Sequence, residues 1–313
     1  MKKYQIYFAL FCVMITWGFN VVMTKVLVAN FLPVTMTALR IFTAGISVLF
    51  IMLCCKQVRA LTKREFWYVL IGAMFNVVGH HYFLSIGLSK TSATNGGLIL
   101  GLGPLLTTVL AILFLGSKVT VTRMIGVILG IAGVSFIVLG GNGGLSGVSM
   151  GDADVFMAVV FQAASFVIIK KVSDTLDPRL MTGYMLLIGS VVLFALSLFV
   201  EPGGLASMAN GSAGLWAVFF ASAIVATALG HMVYNYAIGK VGAAESAIFM
   251  NLNTFFALVG AVLFLGEKIA GVHIVGFFLI LMGVVLGSGA FEELLRGSGG
   301  KKGIGMGRQQ KSL

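Results

Sequence analysis

The chain has 313 residues, of which 59% are hydrophobic and only 10% are charged, and its formal net charge is +11. A mean hydropathy of +1.05 excludes a soluble globular domain, because such a domain could not bury this much apolar surface. The basic residues stand singly or in pairs at the ends of apolar runs, whereas nucleic-acid binding requires a clustered basic face with interleaved aromatic residues. The composition therefore predicts an integral membrane protein with no nucleic-acid partner.

Five apolar runs long enough to cross about 30 Å of hydrocarbon lie in the first half of the chain. They predict helices at roughly 5–26, 34–54, 66–88, 92–115 and 121–140. The first run follows a basic start, as in a signal peptide, but it is too long for one and lacks a small-x-small cleavage site. We therefore expect it to be retained as helix 1.

Five further runs predict helices at roughly 153–171, 180–200, 214–238, 243–265 and 270–290. The expected fold class is an all-α integral membrane protein with ten transmembrane helices. A glycine-rich linker at 141–151 joins a first half at 1–140 to a second half at 152–290. The basic segment 291–313 is predicted to be a disordered cytoplasmic tail.

The second half of the chain repeats the first. Residues 90–138 align with residues 240–288 without a gap. Lysine and arginine are concentrated in the loops on one side, which predicts a cell (inner) membrane protein with both termini in the cytoplasm. Because each half has an odd number of helices, the second repeat must be inverted, and halves of this kind usually bracket a transport pathway.

The pattern resembles the drug/metabolite transporter superfamily, in particular its ten-helix EamA-type members. The resemblance rests on Trp17-Gly18, Lys25, Pro33, Ala38-Leu39-Arg40, Pro104, Leu113-Phe114-Leu115-Gly116, Leu263-Phe264-Leu265-Gly266-Glu267, Gly126, Gly133, Gly276 and Gly283. Ser117 and Thr254 depart from the family pattern, which has Glu and Pro there. The resemblance implies a secondary transporter in which helices 5 and 10 form a scaffold.

The chain carries no nucleophile–base pair, metal motif or nucleotide loop, so we expect no enzymatic activity, metal or cofactor. The expected partners are a small-molecule substrate and the lipid bilayer. We expect the protein to be a monomer or a weak homodimer.

Ionisable side chains deep in a membrane span are costly and therefore point to function. Arg40 in helix 2 could bind a carboxylate or phosphate through its fork, or could instead tie backbone carbonyls. His81 and His231 occupy equivalent places in the two repeats, and His231 shares one face of helix 8 with Asn235. Either these residues contact substrate or protons, or their hydrogen bonds only fix the packing of the helices.

Uncharged polar residues near the middle of the helices complete the predicted substrate site. Trp17 and Asn20 in helix 1 are equivalent to Gln162 and Ser165 in helix 6, and Asn253 lies in helix 9. A break in helix 4 is predicted from Gly101, Gly103 and Pro104. A break at this depth is tolerated where it faces protein or a cavity.

These features together predict an exporter of a small polar or zwitterionic metabolite, such as an amino acid. The first alternative is a multidrug exporter of hydrophobic compounds, although Arg40 would repel cations and helix 1 has no carboxylate. An alternative of another class is a membrane-embedded assembly factor or enzyme.

Overall fold

The computed structural model describes residues 3–115, 120–141 and 149–287. In this part of the chain all regular structure is helical. The helices of the first half are α1 (Lys3–Asn30), α2 (Pro33–Cys54), α3 (Lys63–Lys90), the two segments of α4 (Ala93–Leu100 and Gly103–Leu115) and α5 (Val121–Gly141). The long helices of the second half are α6 (Met150–Val172), α7 (Pro178–Val200), α8 (Ala213–Val241), the two segments of α9 (Ala243–Ile248 and Met250–Leu265) and α10 (Gly271–Gly287), and a short helix (Gly204–Met208) lies between α7 and α8.

Eight of these helices are long and apolar enough to cross a bilayer, and two shorter apolar helices belong to α5 and α10. Large apolar side chains such as Phe50 and Phe199 are exposed on the outside of the bundle, where lipid tails would cover them. The prediction of an all-helical protein with ten spans is therefore confirmed. The predicted linker and tail lie largely outside the described residues, as does Ser117.

Helix α3 begins earlier than its apolar run predicted. The Thr62 hydroxyl accepts from the Glu65 backbone, and the Glu65 carboxylate accepts from the Thr62 backbone, which forms a capping box. Arg59 also donates two hydrogen bonds to Glu65, at 2.9 and 2.7 Å, and these raise the pKa of Arg59. A polar first turn is thus added to the helix by capping, which a search for apolar residues cannot detect.

Contacts between helices follow the internal repeat. Helix α2 packs along α7, and α5 packs along α10, so each of these pairs joins equivalent helices of the two halves. The contact of α3 with α6 has its counterpart in α8 with α1, and that of α1 with α9 in α6 with α4. The two five-helix repeats are therefore related in their packing as well as in their sequence.

Glycines allow α5 and α10 to approach closely. A Cβ atom added to Gly283 would lie 2.6 Å from the backbone nitrogen of Gly130, and one on Gly133 would lie 2.9 Å from the carbonyl oxygen of Gly276. No side chain fits at either place without moving the helices apart. The glycine pattern thus serves the packing of this pair, as small residues commonly do in membranes.

Two equivalent helices each contain a π-helical segment in the middle of the bundle. The segments are Met74–Gly79 in α3 and Ala221–Leu229 in α8. Each segment ends directly before a pair of residues that includes a predicted site histidine, at His80-His81 and Gly230-His231. Such wide turns are rare in proteins, and those that occur are often found at functional sites.

Helix α4 is interrupted at Gly101 and Leu102, in the region where the break was predicted. Pro104 falls in the first turn of the second segment, where its missing N–H would have no helical partner anyway. A Cβ atom on Gly101 would lie 2.8 Å from the Thr254 hydroxyl, and one on Gly103 would lie 2.8 Å from Met250. The interruption therefore brings α4 close to α9.

Charged side chains fix the helix ends at what we call the Lys90 end of the bundle, where α3 ends and α4 begins. The Lys25 ammonium donates to the carbonyl oxygens of Leu88 and Thr91, at 2.8 and 2.7 Å. The Glu267 carboxylate accepts from the first two N–H groups of α4, at 2.9 and 2.8 Å. Both interactions match the helix dipole, which favours cations at C-termini and anions at N-termini. A depression of about 550 Å³ lies beside them.

Candidate functional site

A small polar cavity lies between the two repeats. Its volume is about 40 Å³. Helices α1, α3, α4, α6, α8 and α9 supply the side chains that line it: Trp17, Asn20, Val21, Thr24, His80, His81, Leu84, Leu100, Gln162, His231 and Asn253. None of these described lining residues is acidic.

Trp17 is held in place by the π-helical segment of α8. Its indole Nε1 donates to the carbonyl oxygen of Ala226 at 2.8 Å. The ring packs against Gly230, where an added Cβ atom would lie only 2.4 Å from Nε1. Its centroid is also 4.8 Å from that of His231 and 4.9 Å from that of Tyr234. The glycine and the wide turn together allow the indole to form a wall of the cavity.

Arg40 is almost fully buried, with 1% of its surface exposed. Its guanidinium donates to the hydroxyls of Ser222 and Thr227 in α8, at 3.1 and 2.8 Å, and its Nε has no partner. No ion pair with Arg40 is found among the residues that the structure describes. A buried charge without a counter-charge is costly, so the site holds unused attraction for an anion.

The charge of Arg40 is connected to the cavity through one hydroxyl. The Ser222 hydroxyl accepts from Arg40 and donates to the Oδ1 atom of Asn20 at 2.5 Å. Arg40 itself does not line the cavity, whereas Asn20 does. The guanidinium therefore lies one layer behind the cavity wall.

The two histidines from equivalent helices meet at the cavity. The ring centroids of His81 and His231 are 5.6 Å apart. His231 Nδ1 is 3.0 Å from the carbonyl oxygen of Thr227, while its Nε2 and both ring nitrogens of His81 have no partner. The same region therefore holds three buried ring nitrogens free to bind a ligand.

His80 and Gln162 form the part of the wall contributed by α3 and α6. His80 Nδ1 lies 2.9 Å from the carbonyl oxygen of Ala158, and its Nε2 lies 3.3 Å from Gln162 Nε2. The Oε1 atom of Gln162 and the Oδ1 atom of Asn253 are buried without partners. Among all the described residues, those of the cavity included, no group of three or more His, Cys, Asp or Glu is placed to hold a metal ion.

The sequence matches the model of the EamA-like transporter family over residues 5–139 and 149–289. The chain belongs to the EamA-like transporter family. It is 28% identical over 298 residues to the uncharacterized transporter YyaM of Bacillus subtilis, covering 93% of this chain and 96% of that one. It is also 27% identical to the uncharacterized transporter YvbV of the same organism, covering 87% and 88% of the two chains.

The chain is also similar to a plant protein in sequence and to a solved structure in fold. The WAT1-related protein At3g02690, chloroplastic, of Arabidopsis thaliana is 27% identical, over 86% of this chain and 66% of that one. A crystal structure with 15% sequence identity superposes with a TM-score of 0.66 and covers 94% of this chain and 99% of that chain. The protein is therefore a multi-pass membrane transporter of the EamA-like family, and the names of these three relatives state no substrate.

In this EamA-like transporter, six of the nine predicted substrate-binding residues line one cavity. The six are Trp17, Asn20, His81, Gln162, His231 and Asn253. The other three, Arg40, Ser165 and Asn235, lie behind the wall. Ser165 accepts a hydrogen bond from Asn76 at 2.8 Å, and Asn235 donates one to Thr182 at 2.8 Å. The predicted polar face of α8 is thus divided, because Asn235 contacts α7 rather than the cavity.

Sequence reasoning missed several residues that build this site. Ser222 connects Arg40 to Asn20, and Thr24 lines the cavity, but both look like ordinary small polar residues in an apolar helix. His80, which directly precedes the predicted His81, also lines the cavity. Its spacing of four residues from Asn76 on one face of the helix was the available signal, and no local pattern marks Ser222.

Proposed function

We propose that the protein carries a small polar or zwitterionic metabolite, such as an amino acid, across the membrane by alternating access, with export as the working direction. The observation that carries the proposal is a polar cavity between the two repeats whose described lining has no acidic residue. One hydroxyl, that of Ser222, separates this cavity from a buried arginine that has no ion pair among the described residues. A cavity of this kind favours a ligand with an anionic group over a cation.

The size of the cavity supports transport through a change of conformation. At about 40 Å³ it is well below the roughly 300–1,000 Å³ typical of small-molecule sites, so a metabolite cannot bind without movement of the surrounding helices. The breaks in α4 and α9 and the π-helical segments of α3 and α8 lie in the helices around it. Inverted repeats of this kind open alternately to the two sides in many transporters.

A multidrug exporter of hydrophobic compounds is the second candidate. Its support is the set of apolar depressions on the outside of the bundle, for example that between α9 and α10 lined by Phe255, Leu258 and Phe277. This depression faces the lipid region rather than the interface of the repeats. We therefore rank the polar metabolite first.

The setting of the transporter completes the proposal. We propose that it lies in the cell (inner) membrane with both termini in the cytoplasm, as the distribution of lysine and arginine indicates. We further propose that it works as a monomer or a weak homodimer, with repeats at 1–140 and 152–290 joined by the linker at 141–151. Cysteine-labelling of both faces tests the orientation.

The proposed function is tested by comparing metabolites inside and outside cells that express the protein or the matched variant Asn20→Leu, which removes the cavity amide. We expect one or a few amino acids or similar compounds to accumulate outside only with the wild type. Purified protein in vesicles should then release the same compound. Accumulation of hydrophobic cations instead, with no polar compound moved, would favour the second candidate.

A further inference from the structure

The hydrogen bonds behind the cavity wall determine which atoms of the wall can accept and which can donate. The carbonyl oxygen of Ala158 can only accept, so a neutral His80 must carry its proton on Nδ1, which lies 2.9 Å away. Its Nε2 is then an acceptor and requires a donor. The neighbouring atom of Gln162, at 3.3 Å, must therefore be the amide nitrogen.

The same reasoning fixes the free end of Gln162. With its nitrogen turned to His80, its oxygen Oε1 is left buried and without a partner. Gln162 lines the cavity, and this oxygen is the atom of its amide that still lacks a partner. The amide can accept from the ligand but cannot reverse its orientation without breaking the bond to His80.

His231 presents a second acceptor by an independent route. The carbonyl oxygen of Thr227 lies 3.0 Å from His231 Nδ1, so that nitrogen carries the proton of the neutral ring. The other ring nitrogen, Nε2, is then an acceptor, and it is buried without a partner. Gln162 and His231 belong to different repeats and both line the cavity. Two buried acceptors without donors thus belong to one small space.

Asn20 presents a hydrogen-bond donor to the cavity, in contrast to the acceptors of Gln162 and His231. The Ser222 hydroxyl accepts from Arg40 and gives its single proton to Asn20 Oδ1. The amide nitrogen Nδ2 is therefore the polar atom of Asn20 left for a ligand, and the charge of Arg40 lies behind it. A ligand that satisfies these three atoms must accept at Asn20 and donate at Gln162 and His231.

We propose that the cavity binds the primary ammonium group of its substrate at Gln162 Oε1 and His231 Nε2, and an anionic group at Asn20 Nδ2. The inference rests on the proposed transport function and specifies the substrate class as a compound with an N–H-bearing cationic end and an anionic end. Two neutral acceptors, rather than a carboxylate, hold the ammonium, so the two N–H donors are essential for recognition. A site that forms hydrogen bonds with a donor group of its substrate discriminates strongly against analogues that lack this donor.

The first test is independent of transport. In the full-length protein labelled with ¹⁵N-histidine, nuclear magnetic resonance should show His80 and His231 as neutral rings protonated on Nδ1. The variants His80→Gln and His231→Gln assign the two signals. Protonation on Nε2 in either ring would remove the corresponding acceptor and would overturn the inference, whatever the transport results.

The second test uses glycine, N-methylglycine, N,N-dimethylglycine and glycine betaine as probes with the purified protein. All four carry the same charges, but their N–H groups number three, two, one and none. We expect binding, measured as thermal stabilisation, to fall by roughly 10- to 100-fold where fewer than two N–H groups remain, since each lost hydrogen bond weakens binding severalfold or more. Equal binding of all four, or no binding of glycine, would overturn the inference.

Variants separate hydrogen bonding from size. Gln162→Met removes one acceptor at similar volume, and it should flatten the dependence on the number of N–H groups. Thr107→Val removes a different buried hydroxyl without a partner, outside the cavity, and should leave that dependence intact. A dependence that persists in Gln162→Met would show that bulk alone excludes the methylated probes and would overturn the inference. Transport of polar metabolites without N–H groups would overturn it too, while leaving the proposed function in place.

Discussion

Replacing Arg40 tests whether its charge acts on the cavity from behind the wall. The path from the guanidinium to Asn20 consists of two hydrogen bonds, of 3.1 and 2.5 Å, through the Ser222 hydroxyl. An anion bound at the Asn20 amide nitrogen would then lie about 9 Å from the charge, and at an effective dielectric constant of about 20 the attraction is about 2 kcal/mol. The variant Arg40→Gln should therefore raise the KM for an anionic or zwitterionic substrate roughly 20- to 30-fold.

The effect on stability should be different in kind. Arg40 is buried without an ion pair among the described residues, so removing the charge also removes its desolvation cost. The amide of Arg40→Gln can still bond to one of the hydroxyls. We expect the yield and melting temperature of the purified protein to change little, while transport weakens.

Two further variants refine the interpretation. Arg40→Lys keeps the charge, but its shorter side chain must bring a single ammonium to the Ser222 and Thr227 hydroxyls, both of which bond to one terminal nitrogen of Arg40, so its KM should rise only severalfold. Ser222→Ala keeps the arginine and removes the connecting hydroxyl, and should give an intermediate value. The assay is substrate uptake or release by vesicles as a function of concentration. An unchanged KM in Arg40→Gln, with only the yield reduced, would assign Arg40 to a structural role.

Three other outcomes follow from the geometry. Gly230→Ala should greatly reduce transport, because the new Cβ atom would lie 2.4 Å from the neighbouring indole, whereas Gly271→Ala, with nothing within 4 Å, should transport normally. Glu267→Gln should lower stability by about 1 kcal/mol, seen as a lower melting temperature, because the amide caps the α4 N-terminus less well than the carboxylate. In a cysteine-free background, Asn210→Cys should react with an impermeant thiol reagent from outside cells and Lys63→Cys should not, and equal labelling would refute the predicted orientation.

The apolar runs and the internal repeat made most of the fold predictable. Bilayer thickness sets helix length, so ten long apolar stretches translate directly into ten spans. Equivalent positions in inverted repeats lie around one axis, which is why alignment of the halves pairs His81 with His231 and why these rings meet in the structure. Patterns that depend on the length and order of helices were therefore accessible from the sequence.

Patterns that depend on helix rotation were less accessible. A π-helical turn adds a residue and changes the face of the helix on which all later side chains lie. The residue types in Ala221–Leu229 do not predict such a turn. The spacing of His231 and Asn235 suggested a single polar face, yet Asn235 contacts Thr182 in α7 rather than the cavity. Arg40 lies behind the wall, where it donates to Ser222 and Thr227 in this π-helical segment, and that place could not be read from its depth in helix 2.

The symmetry of the fold and the asymmetry of the site have a mechanistic consequence. Inverted repeats can present similar openings to both sides of the membrane, but equivalent positions carry different chemistry here. Asn20 has its counterpart in Ser165, which accepts a hydrogen bond from Asn76 instead of lining the cavity, and Trp17 has its counterpart in Gln162. Donor and acceptor atoms are therefore contributed unequally by the two repeats. Under the proposed alternating access, a substrate that matches these atoms would bind in one orientation, and the helices would open to each side around a ligand whose two ends are held differently.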